Sequence, residues 1–300
     1  MTPFRENLRG ILAIVACNFL FLINDTMIKL ASAELPLGEI ITIRGAFATI
    51  VLVPIVAAAG LIREIRLVRQ PALMWRTLAE IGAAYFYLIA LFHIPISNTN
   101  TIIQVVPLAV TACAAIFLGH AVGWRRWIAI VIGFLGVVVV IRPGLGGFNS
   151  YGLLALVSAG FITIRDMSTR VMPAAVPTLL IALTTAVVVG LTGPVFAIIA
   201  GEQWALPSGH VLLLLATAVV FLVGGYLLSV DFMRHGDLAV VAPFRYTVIL
   251  WAMIVGFVVW GETPDLPMLA GSAIIIATGV YTFHRERRLS AQAAQAAMGE

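Results

Sequence analysis

A few charged and polar side chains set into otherwise apolar runs are the residues of this chain that could do chemistry. Asp25 and Lys29 lie four apart, as do Asp166 and Arg170. That spacing puts each pair on one helix face within mutual reach. Such pairs could close the mouth of a pathway, or could be helix-end ion pairs that gate nothing. Arg44 lies about eight residues inside a later run, about 12 Å deep if that run is helical, and Arg245 about seven residues inside another. A guanidinium at such depth faces the protein interior and needs a partner. Asp25 comes to the depth of Arg44, and Asp231 and Glu80 come to that of Arg245. Each arginine is open to two readings, an interhelical ion pair or a contact for a substrate carboxylate.

Asn18 and Gln104 sit far from the ends of their runs, as interhelical glue or as cavity lining. Tyr85, Tyr87, Tyr226, Tyr246 and Trp251 also lie inside runs, away from the interfaces where aromatic belts form. Rings with a few donors suit an aromatic or apolar solute with a polar head, and core packing is the alternative use. Pro54, Pro107, Pro194 and Pro243 each remove a backbone donor from a run. Pro54 and Pro194 are read as hinges, with static kinks as the alternative.

The elements that must position these residues follow from composition. The 300 residues are 61% hydrophobic and 11% charged, with a mean hydropathy of +1.06. An average soluble chain is about 25% charged, so an ordinary soluble domain and a disordered chain are both excluded. Ten apolar runs fall at about residues 9 to 31, 37 to 60, 72 to 92, 97 to 118, 124 to 141, 151 to 170, 176 to 200, 209 to 233, 238 to 260 and 266 to 284. Each can cross the bilayer, and in hydrocarbon the runs must be helices. The fold class expected is an all-α integral membrane protein of ten transmembrane helices.

Placing both termini in the cytoplasm puts thirteen of the eighteen basic residues inside, Lys29 and Arg142 toward the outside, and Arg44, Arg165 and Arg245 within helices. Topology thus explains the net charge of +4, and no nucleic acid partner is expected. A cleaved signal peptide is the competing reading of the first run, since Arg5 and Arg9 precede it and Ala31-Ser32-Ala33 resembles a cleavage site. Cleavage would discard Asp25 and Lys29.

Those two residues belong to an internal repeat. Asp25, Lys29, Pro36, Gly60 and Tyr85 recur as Asp166, Arg170, Pro177, Gly201 and Tyr226, all at one and the same offset along the chain. Pro54 with Pro194, and Gly119 with Gly261, keep that offset to within one position. With five helices in each half, the second copy enters the membrane from the opposite side. The expected organisation is a first repeat over 1–145, a second over 146–288 and a cytoplasmic tail over 289–300. Inverted repeats of this kind belong to secondary transporters, whose halves exchange inward-open and outward-open shapes around a central site.

The ten-helix duplicated plan, Leu118-Gly119-His120, Gly261-Glu262 and Pro243-Phe244-Arg245-Tyr246 resemble the drug/metabolite transporter superfamily in its EamA-type branch, over about residues 9 to 284. Within it the chain looks like bacterial exporters of aromatic amino acids. His120 departs from the Glu that the family usually carries there, while the second copy keeps Glu262. The resemblance implies a secondary-active or facilitated exporter of an amino acid, aromatic or hydrophobic. An exporter of another metabolite or drug, or an uptake carrier, is the alternative.

No Gly-rich loop ending in Gly-Lys is present, and the five histidines offer no paired metal spacing. Neither cofactor nor metal is expected. An intramembrane enzyme using Asp25 and Asp166 would need acids placed toward opposite faces to share a centre, so the chain is read as no enzyme. A channel is the remaining rival. The partners expected are the lipid bilayer and a small-molecule substrate, for a monomer in the cell inner membrane.

Overall fold

The computed structural model describes residues 3–119, 122–143, 149–173, 175–234 and 238–298, and every regular element among them is helical. In chain order these are α1 (Pro3–Ala31), α2 (Leu37–Ala58), α3 (Pro71–His93), α4 (Ile96–Ile103), α5 (Val106–Phe117) and α6 (Trp124–Ile141). There follow α7 (Tyr151–Arg170), α8 (Thr178–Ala200), α9 (Gly209–Arg234), α10 (Leu238–Val241), α11 (Thr247–Trp260) and α12 (Leu266–Met298). Two 3₁₀ segments, Leu61–Arg69 and Ala242–Tyr246, complete the described elements. His120 and His235 lie outside the described residues.

Among the described residues, eight helical stretches are long and apolar enough to cross a membrane. The third and sixth runs, now α3 and α7, have the length, at 23 and 20 residues. They carry Arg76, Glu80, Arg165, Asp166 and Arg170 and are correspondingly less apolar. Two runs read as single helices are interrupted. The run 97 to 118 becomes α4 and α5, separated by Gln104 and Val105, and the run 238 to 260 becomes α10, a 3₁₀ segment and α11. Pro107 and Pro243 stand at these places, and a proline leaves the carbonyl four residues earlier without its helical donor. Around Gln104 the chain tightens to i→i−3 bonds, Gln104 N to Thr101 O at 3.1 Å and Val105 N to Ile102 O at 3.1 Å. Pro54 and Pro194, by contrast, stay inside unbroken α2 and α8.

The chain divides into two compact units. One comprises Met1–Leu22, Pro95–Leu153 and Gly224–Glu300, the other Ile23–Ile94 and Leu154–Val223. Each takes helices from both sequence halves. In the second unit, α2 packs on α8, its counterpart in the repeat, with Gly38 beside Gly193 and Gly45 beside Gly190. As α2 advances from 38 to 45 its neighbours on α8 recede, so the helices are antiparallel. A Cβ on Gly190 would lie 3.0 Å from Gly45 Cα, and one on Gly38 only 2.7 Å from Gly193 O. Small residues here let two backbones touch, which is the main source of helix association where lipid is as apolar as the protein.

The first unit repeats the device. There α6 crosses its counterpart α12, with Gly133 against Thr278, and Gly136 and Gly271 each within about 3 Å of the other's carbonyl once a Cβ is added (3.1 and 2.7 Å). Beyond that crossing Arg142 pairs with Asp265, and Asp265 Oδ1 accepts from Met268 N at 3.0 Å, capping α12. The hydrogen bond from Arg142, helped by the Met268 amide and opposed by partial burial, holds the Asp265 carboxyl below the usual carboxylate range.

Two outcomes follow from this packing. Gly45→Ala should cost about 1–3 kcal/mol by forcing α2 off α8, seen as a lowered unfolding temperature in detergent. Gly160→Ala, on α7 with open space around it, should be neutral or stabilising by up to about 1 kcal/mol. For Asp265, a lowered carboxyl pKa means the pair's contribution is full above the ordinary carboxylate range and disappears as pH falls through the lowered value. Asp265→Asn should therefore lose roughly 0.2–1 kcal/mol at neutral pH and remove that part of the acid limb of a stability–pH profile.

Candidate substrate site

The interrupted helices lie in the first unit, and they restart in register with the repeat. α5 begins at Val106 and α11 at Thr247, equivalent positions in the two copies, although Pro107 and Pro243 are not themselves equivalent. Gln104 and Arg245 are equivalent too, and they occupy the two interruptions. α4 lies alongside α11, and Ile96 at the start of α4 meets the far end of α11, where Gly256 and Glu262 stand. The other end of α4, carrying Gln104, is thereby directed back toward the start of α11.

Asn18 of α1 secures the second interruption. Its Nδ2 donates to Arg245 O at 2.9 Å and to Thr247 Oγ1 at 3.1 Å, with Phe244 O sharing at 3.3 Å. An amide nitrogen has two hydrogens, so this group is fully used by the protein. Of the two uses open to Asn18, the interhelical one is the one its nitrogen performs. Tyr246 is likewise occupied: it is buried with its ring packed over Gly279 of α12.

Gln104 and Trp251 are in a different condition. Gln104 is 6% exposed, and its Oε1 is buried without a hydrogen-bond partner; Trp251 Nε1 is buried without one too. A buried unmade bond of this kind costs about 1–3 kcal/mol. One orphan is an acceptor and the other a donor. The Trp251 ring leans on Phe19 (centroids 5.1 Å, 59°), Tyr226 meets Phe21 edge-on at 5.7 Å, and Tyr226 and Arg245 are exposed. Asp231, the other acid weighed for Arg245, has its side chain outside the described residues.

In the second unit most of the polar residues are engaged with one another. Tyr87 donates to Asp25, which also accepts from Asn24 at 3.0 Å, and Lys29 Nζ donates to Ile94 O at 2.7 Å. The bridge expected between Arg44 and Asp25 does not form among the described residues, where the Asp25 oxygens are served by Tyr87 and Asn24. Tyr85 donates to Thr192 at 3.1 Å and its ring lies 4.8 Å from Phe196, so it is spent on α8.

Arg165 binds Glu80 at 3.3 Å and its neighbour Asp166 at 2.9 Å. The expected Asp166 to Arg170 pair is thus replaced, because Arg165 can neutralise two partly buried acids at once while Arg170 is exposed. Arg76 turns from Glu80 to Thr169 (3.1 Å) and Thr185 (2.9 Å). Of the charges that make α3 and α7 less apolar, Arg165 thus offsets Glu80 and Asp166, while Arg76 is held by hydroxyls and Arg170 is exposed.

Three acids escape a reading centred on midmembrane residues. Glu202 follows Gly201, which is left-handed at φ +66°, and both of its oxygens accept from Gly38 N at 3.1 Å at the start of α2. Glu262 follows Gly261 (φ +67°) and accepts from Ile96 N at 3.1 Å at the start of α4. In each, a glycine turns the chain so that a carboxylate reaches the positive end of another helix. Glu39, in the first turn of α2, is 4% exposed with Oε2 unpartnered. A Gly-Glu step directly after an apolar run was the available signal for the first two; Glu39 was hidden by its place near a run end.

Substitutions separate the two kinds of polar residue. Asn18→Leu should lower the unfolding temperature, costing about 1–3 kcal/mol, because it strips donors from the Phe244 and Arg245 carbonyls of the interruption. Gln104→Leu should leave stability unchanged or raise it, since it removes an acceptor that has no partner.

Comparison with known proteins agrees with a membrane carrier. Residues 8–142 match the EamA-like transporter family. The chain is 29% identical over 276 residues to the pseudopaline exporter of Pseudomonas aeruginosa, covering 89% of this chain and 93% of that protein. It is 26% identical to the S-adenosylmethionine uptake transporter of Rickettsia felis (88% and 89% covered) and 24% identical to the riboflavin transporter of Vibrio cholerae (94% and 95%). A solved crystal structure at 18% identity has the same fold, with a TM-score of 0.64 over 95% of this chain and 99% of the other. Its apolar helices make the chain a multi-pass membrane protein, and over residues 8–142 it resembles the EamA-like transporter family.

Proposed function

We propose that the protein carries a ring-bearing metabolite with a polar head across the inner membrane by alternating access of two inverted five-helix copies, residues 1–145 and 146–288, and that it performs no chemistry on its cargo. The observation that carries this reading is the pair of helix interruptions that restart at equivalent positions of the two copies, with an unpaired buried acceptor on Gln104 and an unpaired buried donor on Trp251. Broken helices at equivalent places in two copies are where transporters of this general kind bind their cargo.

The substrate class follows from the orphaned groups. Gln104 Oε1 calls for a donor such as an ammonium or amide, Trp251 Nε1 for an acceptor, and the exposed Arg245 guanidinium for a carboxylate. Phe19, Trp251 and Tyr226 offer ring faces and edges. An aromatic or hydrophobic amino acid has all of these features, and export is the direction proposed. S-adenosylmethionine and riboflavin, the named cargoes of two relatives, likewise join a flat ring system to polar groups and form the second class to test. Pro54 and Pro194, in unbroken helices, remain proposed hinges beside the two interruptions.

Proteoliposomes loaded with a mixture of labelled amino acids, riboflavin and S-adenosylmethionine test the reading. The expected result is saturable efflux of an aromatic amino acid, without chemical change, that shows counterflow. Gln104→Leu and Trp251→Phe, which each delete one polar group, should each reduce transport efficiency about tenfold to a hundredfold, the equivalent of about 1–3 kcal/mol. Efflux no faster than from protein-free vesicles for every amino acid would remove the amino acid assignment. Unsaturable flux without counterflow would replace the carrier with a channel.

A further inference from the structure

The first turns of α1 carry a stripe that the substrate site does not use. Arg5, Leu8, Arg9, Leu12 and Ala16 recur at steps of three and four residues, which places them on one helical face. With Leu228 of α9 they line a groove of about 430 Å³. Leu8 and Leu12 are 44% and 61% exposed, a large apolar surface that the protein itself leaves open.

Polarity along this groove is graded. The two arginines stand at the end where α1 begins, and only leucine and alanine follow toward the middle of the helix. From Arg5 to Ala16 the helix rises about 16 Å at 1.5 Å per residue. Half of a hydrocarbon core about 30 Å thick is about 15 Å. The groove thus runs the depth of one leaflet, with cations at the headgroup level and an apolar wall beneath them. Among the described side chains that line the groove none is acidic.

We propose that this groove is a binding site for one anionic phospholipid of the leaflet in which α1 begins, its phosphate held by Arg5 and Arg9 and an acyl chain lying along Leu8, Leu12, Ala16 and Leu228. Guanidinium groups grip phosphate in paired hydrogen bonds, and a basic pocket between helix ends at the cytoplasmic surface is the setting in which anionic headgroups are recognised. The basic-residue topology assigns this end of α1 to the cytoplasmic leaflet. The site is independent of the cargo reading, since neither Asn18, Gln104 nor Trp251 lines it.

The test uses the full chain purified from membranes, exchanged into detergent and offered equal amounts of phosphatidylglycerol and phosphatidylcholine with matched chains, with retained lipid read by native mass spectrometry. Wild type should retain one phosphatidylglycerol several-fold over phosphatidylcholine and gain thermal stability from it. The double variant Arg5→Gln, Arg9→Gln should lose the preference and the thermal gain. Leu12→Trp, which fills the groove, should lower retention of both lipids. Arg63→Gln with Arg66→Gln, on the exposed face of the 3₁₀ segment Leu61–Arg69, should change neither. The proposal is overturned by equal retention of the two lipids in wild type, or by undiminished phosphatidylglycerol in the α1 double variant. It is overturned equally if the Arg63 and Arg66 variant loses as much as the α1 variant. Disulfide-linked dimers of Leu12→Cys forming in lipid would assign the groove to a second copy of the chain instead. Transport need not change for any of these readouts, so failure here leaves the carrier assignment standing.

Discussion

A backbone carbonyl in hydrocarbon has no water to turn to, and this chain interrupts two of its helices within apolar runs. The interruption at residues 242–246 persists because Asn18 carries donors to Arg245 O, Thr247 Oγ1 and Phe244 O from a separate helix. One amide nitrogen thereby fixes α1 to the start of α11 and makes irregular backbone tolerable at depth. The interruption at Gln104 is handled by local tightening to i→i−3 bonds, which leaves the Gln104 side chain unused by the fold. The same constraint thus consumes one midmembrane amide and spares another.

Helix association in this environment cannot lean on the hydrophobic effect, and the chain uses two substitutes. Glycine-lined crossings bring α2 onto α8 and α6 onto α12, each helix meeting its repeat counterpart with the backbones in contact. Antiparallel contact between counterparts is the arrangement that oppositely inserted copies require. Charges concentrated on α3 and α7 supply the second substitute, with Arg165 joining Glu80 and Asp166 while Arg76 reaches hydroxyls on two helices. Helix ends are held by Glu202 and Glu262, each presented by a left-handed glycine. The corresponding position after Gly60 is Leu61, which has no carboxylate to offer, so this reinforcement is a property of the second half at that place.

The named relatives include an exporter of pseudopaline, an uptake transporter of S-adenosylmethionine and a transporter of riboflavin. Beside the interruptions, the buried polar atoms left without a hydrogen bond among the described residues are Gln104 Oε1 and Trp251 Nε1.

Composition and run length alone determined that the chain is helical and crosses a membrane, and the regular offset between its halves exposed its duplication, because hydropathy and chain order are properties of single segments. Which polar residue is spent on the fold and which is left for a ligand could not be read the same way. Asn18 and Gln104 are both lone amides deep in apolar runs, yet one meets exposed carbonyls and the other meets none. Asp25, at the depth of Arg44, accepts from Tyr87 and Asn24, while Arg165 draws Asp166 away from the neighbour four residues on. Such choices depend on which helix faces which, and only the tertiary structure decides it, since a hydrogen bond forms between positions in space and carries no signature in the separation of its partners along the chain.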